Sequence, residues 1–465
     1  MTRDELGIAW FRRDLRLDDN PAWAAATASH RRVLALYVVD PVLLGAAGAR
    51  RAARLLGDVA ALDRALAEVG GRLHVRIGDP AEVVPAEAAA RGAAAVHANA
   101  DVTPYARTRD DRVADALGRA GVGWATSWGT LVHPPGVVRT RAGGVSLVFT
   151  PFFRAWSRTA WDPWPEPGAA EVLAEAGDPL PSSAVPYPLL DGHEGEAAEP
   201  GERGAVARLE AAAERADGYL DDHDRPDLIG TSELSPDLRF GTLSPRTVAQ
   251  VVGEGTPGRA ALVRQLAWRD WFAHLLHTHP DLVERPLKAT YAGLRWRRDP
   301  QALAAWKEGR TGIPIVDAGM RQLLATGWMH NRVRLLTASF LVKNLLVDWR
   351  EGERFFRHHL VDGDVPQNVG NWQWVAGTGP DAAPYHRVFN PVVQGRRFDP
   401  DGAYVRRWVP ELAGLAGPDV HEPWALGPLE LVAAGVELGG TYPAPVVDLV
   451  ESRARALAAY AAARA

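Results

Sequence analysis

The chain of 465 residues contains no cysteine and only 3 methionines. Without cysteine there is no disulfide, no thiolate nucleophile and no zinc–cysteine site, which fits a reducing, cytoplasmic setting. Long apolar runs are missing as well: no stretch approaches the roughly 20 residues that a membrane span needs. The opening MTRDELGIAWFRRDLRLDD carries charges where a signal peptide needs an apolar core. No GxGxxG follows the first apolar run, so the usual dinucleotide fingerprint is not there. No grouping of residues suggests metal ligands. Positive charge in excess is lacking too, the formal net charge being −5, and this argues weakly against a uniformly basic, polyanion-binding chain.

Tryptophan, by contrast, is plentiful. The chain has 17 Trp against 11 Phe, and eight of the Trp fall between Trp268 and Trp374. The average charge hides a gradient in the same region, where 16 Lys/Arg stand against 9 Asp/Glu from Arg264 to Arg357. A basic face interleaved with Trp268, Trp271, Trp296 and Trp306 suits a phosphate-backbone partner. Arginine-rich helix surfaces give the same count, so both readings stand.

A chain of this length holds about two or three domain equivalents. Short β-rich runs at Ile8–Phe11, Val33–Val39, Leu73–Ile77, Ala94–Asn99 and Gly123–Trp128 alternate with helical patterns such as Arg51–Val69. They predict an α/β domain over residues 1–130, with a five-stranded parallel, doubly wound sheet of Rossmann-like type. Ligands of such sheets favour the carboxyl ends of strands, where Asp40 and Asp101–Tyr105 fall. Residues 131–204 read as a connector, rich in Pro, Gly, Glu and Ser from Gly168 to Gly204. Residues 205–465 read as an all-helical domain.

Three polar constellations interrupt that helical texture. In Gly230–Leu238, Ser235 is placed to cap a helix whose first residue is Pro236. Free helix amides with the Thr231, Ser232 and Ser235 hydroxyls make an anion site fit for a diphosphate, although Ser244-Pro245 shows how common plain capping is. Trp328–Arg332 and Asp362–Trp374 mix tryptophan, amide and charged side chains in otherwise apolar surroundings. Buried polar groups need partners, so such clusters surround a ligand or form a network. Arg332, Arg334 and Asp362 suit an ion pair, and Asn331 and Asn368 suit buried amides. Trp306, Trp349 and Trp372 suit either core filling or a redox chain of indoles.

These segments carry a resemblance. GTSELSPDLRFGTLSP, QLAWRDWF, AWKEGRTGIPIVDAGMRQL, GWMHNRVRLLTASFLVKNLL, DWREGERFF, DGDVPQNVGNWQW and FNPVVQGRRFDP, with the opening WFRRDLR, resemble the DNA photolyase/cryptochrome family over essentially the whole chain. The similarity is closest to class I cyclobutane pyrimidine dimer (CPD) photolyases. It implies an FAD site in the helical domain, with the flavin reduced and anionic in the active form. Tyr219, Thr231, Ser232, Glu233, Leu234 and Ser235 would hold its phosphates and ribityl chain. Arg334, Asp362, Gly363, Asp364 and Asn368 would surround the isoalloxazine, with Arg334 paired to Asp362 and Asn368 beside N5.

The resemblance also implies a flipped-out dimer in UV-damaged DNA, because a flavin cannot reach a lesion that stays in the stack. Trp268 and Trp374 would flank the dimer, and Gln265, Arg269, Asn331, Arg332, Arg387 and Gln394 would meet the lesion or the DNA. Trp372, Trp349 and Trp306 would carry electrons from the surface to oxidised flavin. Asn331 and Leu335, where enzymes acting on (6-4) photoproducts need histidines, favour CPDs. Two departures stand out: Gln265 replaces a frequent Glu, and His223 replaces an arginine four residues after Tyr219. An antenna chromophore, 8-hydroxy-5-deazaflavin rather than methenyltetrahydrofolate, would contact Asp40, Arg51 and Asp101. The other reading of those three is strand-end turn residues without a ligand. The chain is expected to be a monomer. The rival function is a cryptochrome-like blue-light photoreceptor with little or no repair activity.

Overall fold

Four junctions that lead into helices of the N-terminal part share a two-residue device: Asn20-Pro21, Asp40-Pro41, Asp79-Pro80 and Thr103-Pro104. In each, the first side chain accepts an N–H from the first helical turn and proline occupies an opening helical position. Proline there lacks only a donor that would go unpaired, and its fixed φ suits the helix. The computed structural model describes residues 4–140, 143–161, 165–188, 199–381, 384 and 387–464.

Strands β1 (Asp4–Phe11), β2 (His30–Val39), β3 (Leu73–Ile77), β4 (Ala95–Asn99) and β5 (Gly123–Ser127) form a parallel sheet in the order β3-β2-β1-β4-β5. Both faces are covered, as all-parallel sheets require, and residues Val33 to Val39 of β2 are all buried. A sixth strand, β6 (Glu171–Val172), was not expected. It pairs with Arg32 and Val33 of β2, so the Gly168–Gly204 stretch is not purely a surface connection. Strand order reverses between β2-β1 and β4, which leaves a crevice at the carboxyl ends of β1 and β4.

Helices make up the rest, and the described residues there contain no regular strand. The 22-residue helix Pro257–Thr278 runs through their core, packed against Phe149–Trp156 and Val365–Ala376. Leu131, Val132, Val138, Phe149, Phe152 and Trp156 belong to that same apolar core. Buried Asp270 holds them there, accepting from the N–H groups of Val132 and His133 and from Trp156 Nε1 at 3.3, 3.0 and 2.9 Å.

Buried arginines join sheet and helices. Arg16 donates to the carbonyls of Gly241 and Gly129, and Leu15 N–H to that of Phe240. Arg54 bridges Asp58 at 2.7 Å and Asp237 at 2.5 Å. Burial, the largest influence, would raise the Asp237 carboxyl, but Arg54, Arg208 and Thr242 outweigh it and hold the group at about 2. Such a pair is costly to break from one side, because the remaining charge stays buried.

Candidate active site

The largest described cavity, about 550 Å³, opens in the helical part, within the usual size range of ligand sites. Tyr219, Thr231–Ser235, Gln265, Trp268, Arg269, Asn331, Arg332, Arg334, Asp362, Asp364 and Trp374 all line it. A smaller annex of about 80 Å³ adds Gly363, Asn368 and Trp372. Arg387 and Gln394 line a neighbouring pocket of about 420 Å³ that shares Asp224 and Arg332 with the main cavity. Residues predicted from distant segments therefore converge.

Local structure explains the placement. Helix Asn331–Ser339 presents Asn331, Arg332, Arg334 and Leu335 from little more than one turn. Its cap is His330, whose Nδ1 accepts the Arg332 N–H at 3.2 Å. Burial first, then nearby Arg334 and Arg332, pushes His330 down to about 4 despite Asp224. The ring is thus neutral, as an Nδ1 acceptor requires. Arg334 pairs with Asp362 through Nη1–Oδ1 at 3.2 Å and Nη2–Oδ2 at 2.9 Å.

Ser235 differs from its expected role. It is the first residue of helix Ser235–Phe240 rather than its cap, and its Oγ donates to Asp362 Oδ2 at 2.6 Å. The hydroxyl fixes the Asp362 carboxylate instead of closing its own helix. Asn368 directs its NH₂ to the Glu353 carbonyl and Oε1 at 2.9 and 3.0 Å, which leaves its carbonyl oxygen for the annex. Trp268 stacks on Phe149, centroids 3.6 Å apart and planes 10° from parallel. Arg332 bridges Asp224 at 2.5 Å and lies over the Phe398 ring. Arg269 lines the cavity, but its guanidinium donates to the carbonyls of Thr130 and Leu238. It braces the wall through two of its five N–H donors.

The tryptophan reading needs one correction. Trp306 is 0% exposed, donates Nε1–H to the Thr337 carbonyl and sits 6.2 Å from Trp372, centroid to centroid. A fully buried indole cannot be the solvent end of a relay. Trp296 is only partly buried, and the N–H of adjacent Arg297 bonds to the Leu346 carbonyl, three residues before Trp349. Its signal in the sequence was a tryptophan set among Arg295, Arg297 and Arg298 outside any helical pattern. Gly352, one turn after Trp349, lets Trp372 approach: a β-carbon there would collide with the indole.

The proposed antenna residues do not share a contact. Asp40 caps helix Pro41–Ala46 and accepts the Tyr105 hydroxyl at 2.5 Å. Arg51 donates to the carbonyls of Ala46 and Arg357, and burial with Arg357 nearby lowers it to about 10. Asp101 bonds to Arg13 at 3.1 Å and accepts the Thr103 N–H at 2.9 Å. Asp40 and Asp101 stand at strand ends, whereas Arg51 lies in the first turn of helix Ala49–Glu68.

No group of three or more potential metal ligands occurs among the described residues, and no described helix is long and apolar enough to cross a membrane. What the cavity offers is hydroxyls, amides, the ion pairs Arg334–Asp362 and Arg332–Asp224, and aromatic faces. That arrangement suits a large planar molecule.

Residues 7–168 match the DNA photolyase family and residues 262–462 the FAD binding domain of DNA photolyase. The Escherichia coli (strain K12) deoxyribodipyrimidine photo-lyase is 42% identical over 475 residues, covering 98% of each chain. A class III photolyase from Agrobacterium tumefaciens superposes with a TM-score of 0.90 at 38% identity, covering 100% of this chain and 98% of the other. A Synechocystis cryptochrome also superposes with a TM-score of 0.90, at 30% identity, covering 98% and 100%.

Proposed function

The chain belongs to the DNA photolyase family, and from that premise we propose that it is a deoxyribodipyrimidine photo-lyase, a light-dependent enzyme that splits CPDs in UV-damaged DNA. One observation carries the reading: a single cavity is lined both by Tyr219, Thr231–Ser235, Arg334 and Asp362, residue types suited to FAD, and by Trp268 and Trp374, suited to an unstacked pyrimidine pair.

The residues fit the cofactor. The Thr231 and Ser232 hydroxyls and the free amides that open helix Ser235–Phe240 suit a diphosphate. The Arg334–Asp362 pair offers fixed charge to a polar ring edge, and the Asn368 carbonyl faces the annex. Held there by Tyr219, Thr231–Ser235, Arg334, Asp362 and Asn368, reduced FAD would supply photoexcited electron donation to the lesion.

The protein's own part is placement. Trp268, stiffened by Phe149, and Trp374 clasp the everted dimer, since base–aromatic stacking contributes about 1–3 kcal/mol per base. Gln265 and Asn331 meet thymine edges, while Arg332, Arg387 and Gln394 hold the adjoining strand. A dimer stacks poorly and costs less to evert than normal bases. Trp372, Trp349 and Trp296 conduct electrons inward when the flavin is oxidised. The enzyme acts as a cytoplasmic monomer, and an antenna, if carried, is a deazaflavin. The photoreceptor reading leaves the aromatic lesion wall without a purpose.

The test is illumination of the FAD-loaded, fully reduced protein with an oligonucleotide carrying one thymine dimer, followed by chromatography. Restored thymines are expected; dimers that persist while FAD stays bound would overturn the repair reading.

A further inference from the structure

We infer that Arg13, on the loop after β1, is a positioning residue for the flavin site, coupling the sheet to the carboxylate of Asp364. The inference rests on the flavin reading of the cavity.

Asp364 stands at the cap position of helix Val365–Ala376, yet its side chain makes no capping bond. Its Oδ1 instead accepts from Arg13 Nη2 at 2.6 Å. No other protein donor to this carboxylate occurs among the described hydrogen bonds, and Asp364 lines both the main cavity and the annex. Arg13 is itself held by Asp101 at 3.1 Å, beyond the end of β4, and by the Arg239 carbonyl at 3.3 Å. The pair Arg13–Asp101 therefore occupies the crevice between β1 and β4, where sheets of this type usually take a ligand. Here the loop of the helical part fills it. Arg239 and Arg269 are the other cations nearby, but their guanidiniums bond to backbone carbonyls: Gly363 for Arg239, Thr130 and Leu238 for Arg269.

Asp364 thus meets the flavin site as half of an ion pair. Without Arg13 its negative charge keeps only the more indirect compensation of Arg239 and Arg269, in a partly desolvated site where charges interact more strongly than in water. A flavin that becomes anionic on reduction is then harder to reduce. Asp101→Asn removes the other partner of Arg13 without removing the cation.

The experiment is a spectroelectrochemical titration of bound FAD in wild type, Arg13→Gln, Arg13→Lys and Asp101→Asn. Arg13→Gln should shift the reduction equilibrium toward oxidised flavin about tenfold, or about 30 mV for the two-electron couple. Arg13→Lys should shift it less, and Asp101→Asn by under about threefold. An unchanged potential in Arg13→Gln overturns the inference. So do equal shifts in Arg13→Gln and Asp101→Asn with equal losses of melting temperature, which mark plain docking. Should Arg13→Gln not fold, the equally neutral Arg13→Met takes its place, and an unchanged potential there is the overturning result. Failure of the wild type to bind FAD refutes the flavin reading instead.

Discussion

Arg334 and Asp362 face each other through two hydrogen bonds of 2.9 and 3.2 Å, and the Ser235 hydroxyl completes the same carboxylate. Three segments far apart in the chain are thereby fixed at one point of the cavity. Asp362 is almost fully buried and its side chain is 3% exposed against 23% for Arg334, so removing the arginine strands a buried charge. Arg334→Ala should lower stability by about 3 kcal/mol, the low end for a broken buried pair. It should also release FAD on gel filtration. Retention of both stability and flavin would show that the pair holds neither.

The two candidate outer tryptophans can be separated. Trp296→Phe should slow photoreduction of oxidised flavin about tenfold, while repair by pre-reduced protein is kept. Trp306→Phe should leave photoreduction within about threefold and lower stability instead, because it perturbs a packed core contact with Trp372. Transient absorption and thermal melts read the two effects, and the reverse pattern restores Trp306 as the exit.

His330 predicts an acid limit. Its pKa is depressed to about 4 in the fold, against about 6.5 when unfolded. The neutral ring therefore stabilises the fold fully above about pH 6.5, and this contribution is lost as pH falls toward 4. The loss amounts to roughly 3 kcal/mol. Denaturant midpoints at pH 7.5 and 4.5 should differ less in His330→Asn, which keeps an N-cap acceptor. An equal pH dependence in the variant would sink the assignment.

Gln265 is exposed on the cavity wall, with Nε2 donating to its own helix at Ala261 O at 3.3 Å. Gln265→Glu should raise dimers repaired per absorbed photon and leave FAD content unchanged, since a carboxylate accepts more strongly from a thymine edge. A lower yield would place this residue away from the dimer.

Much of the architecture was legible because local chemistry repeats. Each Asn/Asp/Thr-Pro junction declares a helix start, and runs such as Val33–Val39 declare a strand buried on both faces. Strand β6 was not legible, for two residues carry no periodicity. The cavity lining was legible through long motifs. The role of Ser235 was misread because a cap and a partner for Asp362 look alike in sequence. The depth of Trp306 was misread because helix Pro300–Glu308 has apolar positions on a face whose covering, by Phe355, Phe356 and Trp372, comes from elsewhere in the chain.

Residue order alone was enough to set the strand pattern, the tryptophan surplus and the exclusion of thiol chemistry, since these depend on composition or on neighbours a few positions apart. Which carboxylate meets which arginine was settled only by packing. Arg13 reaches Asp364 across 351 positions, and Asp101 becomes an ion-pair partner of Arg13 only because the sheet brings β1 and β4 side by side. Charges select partners by distance and burial, and both are properties of the folded chain.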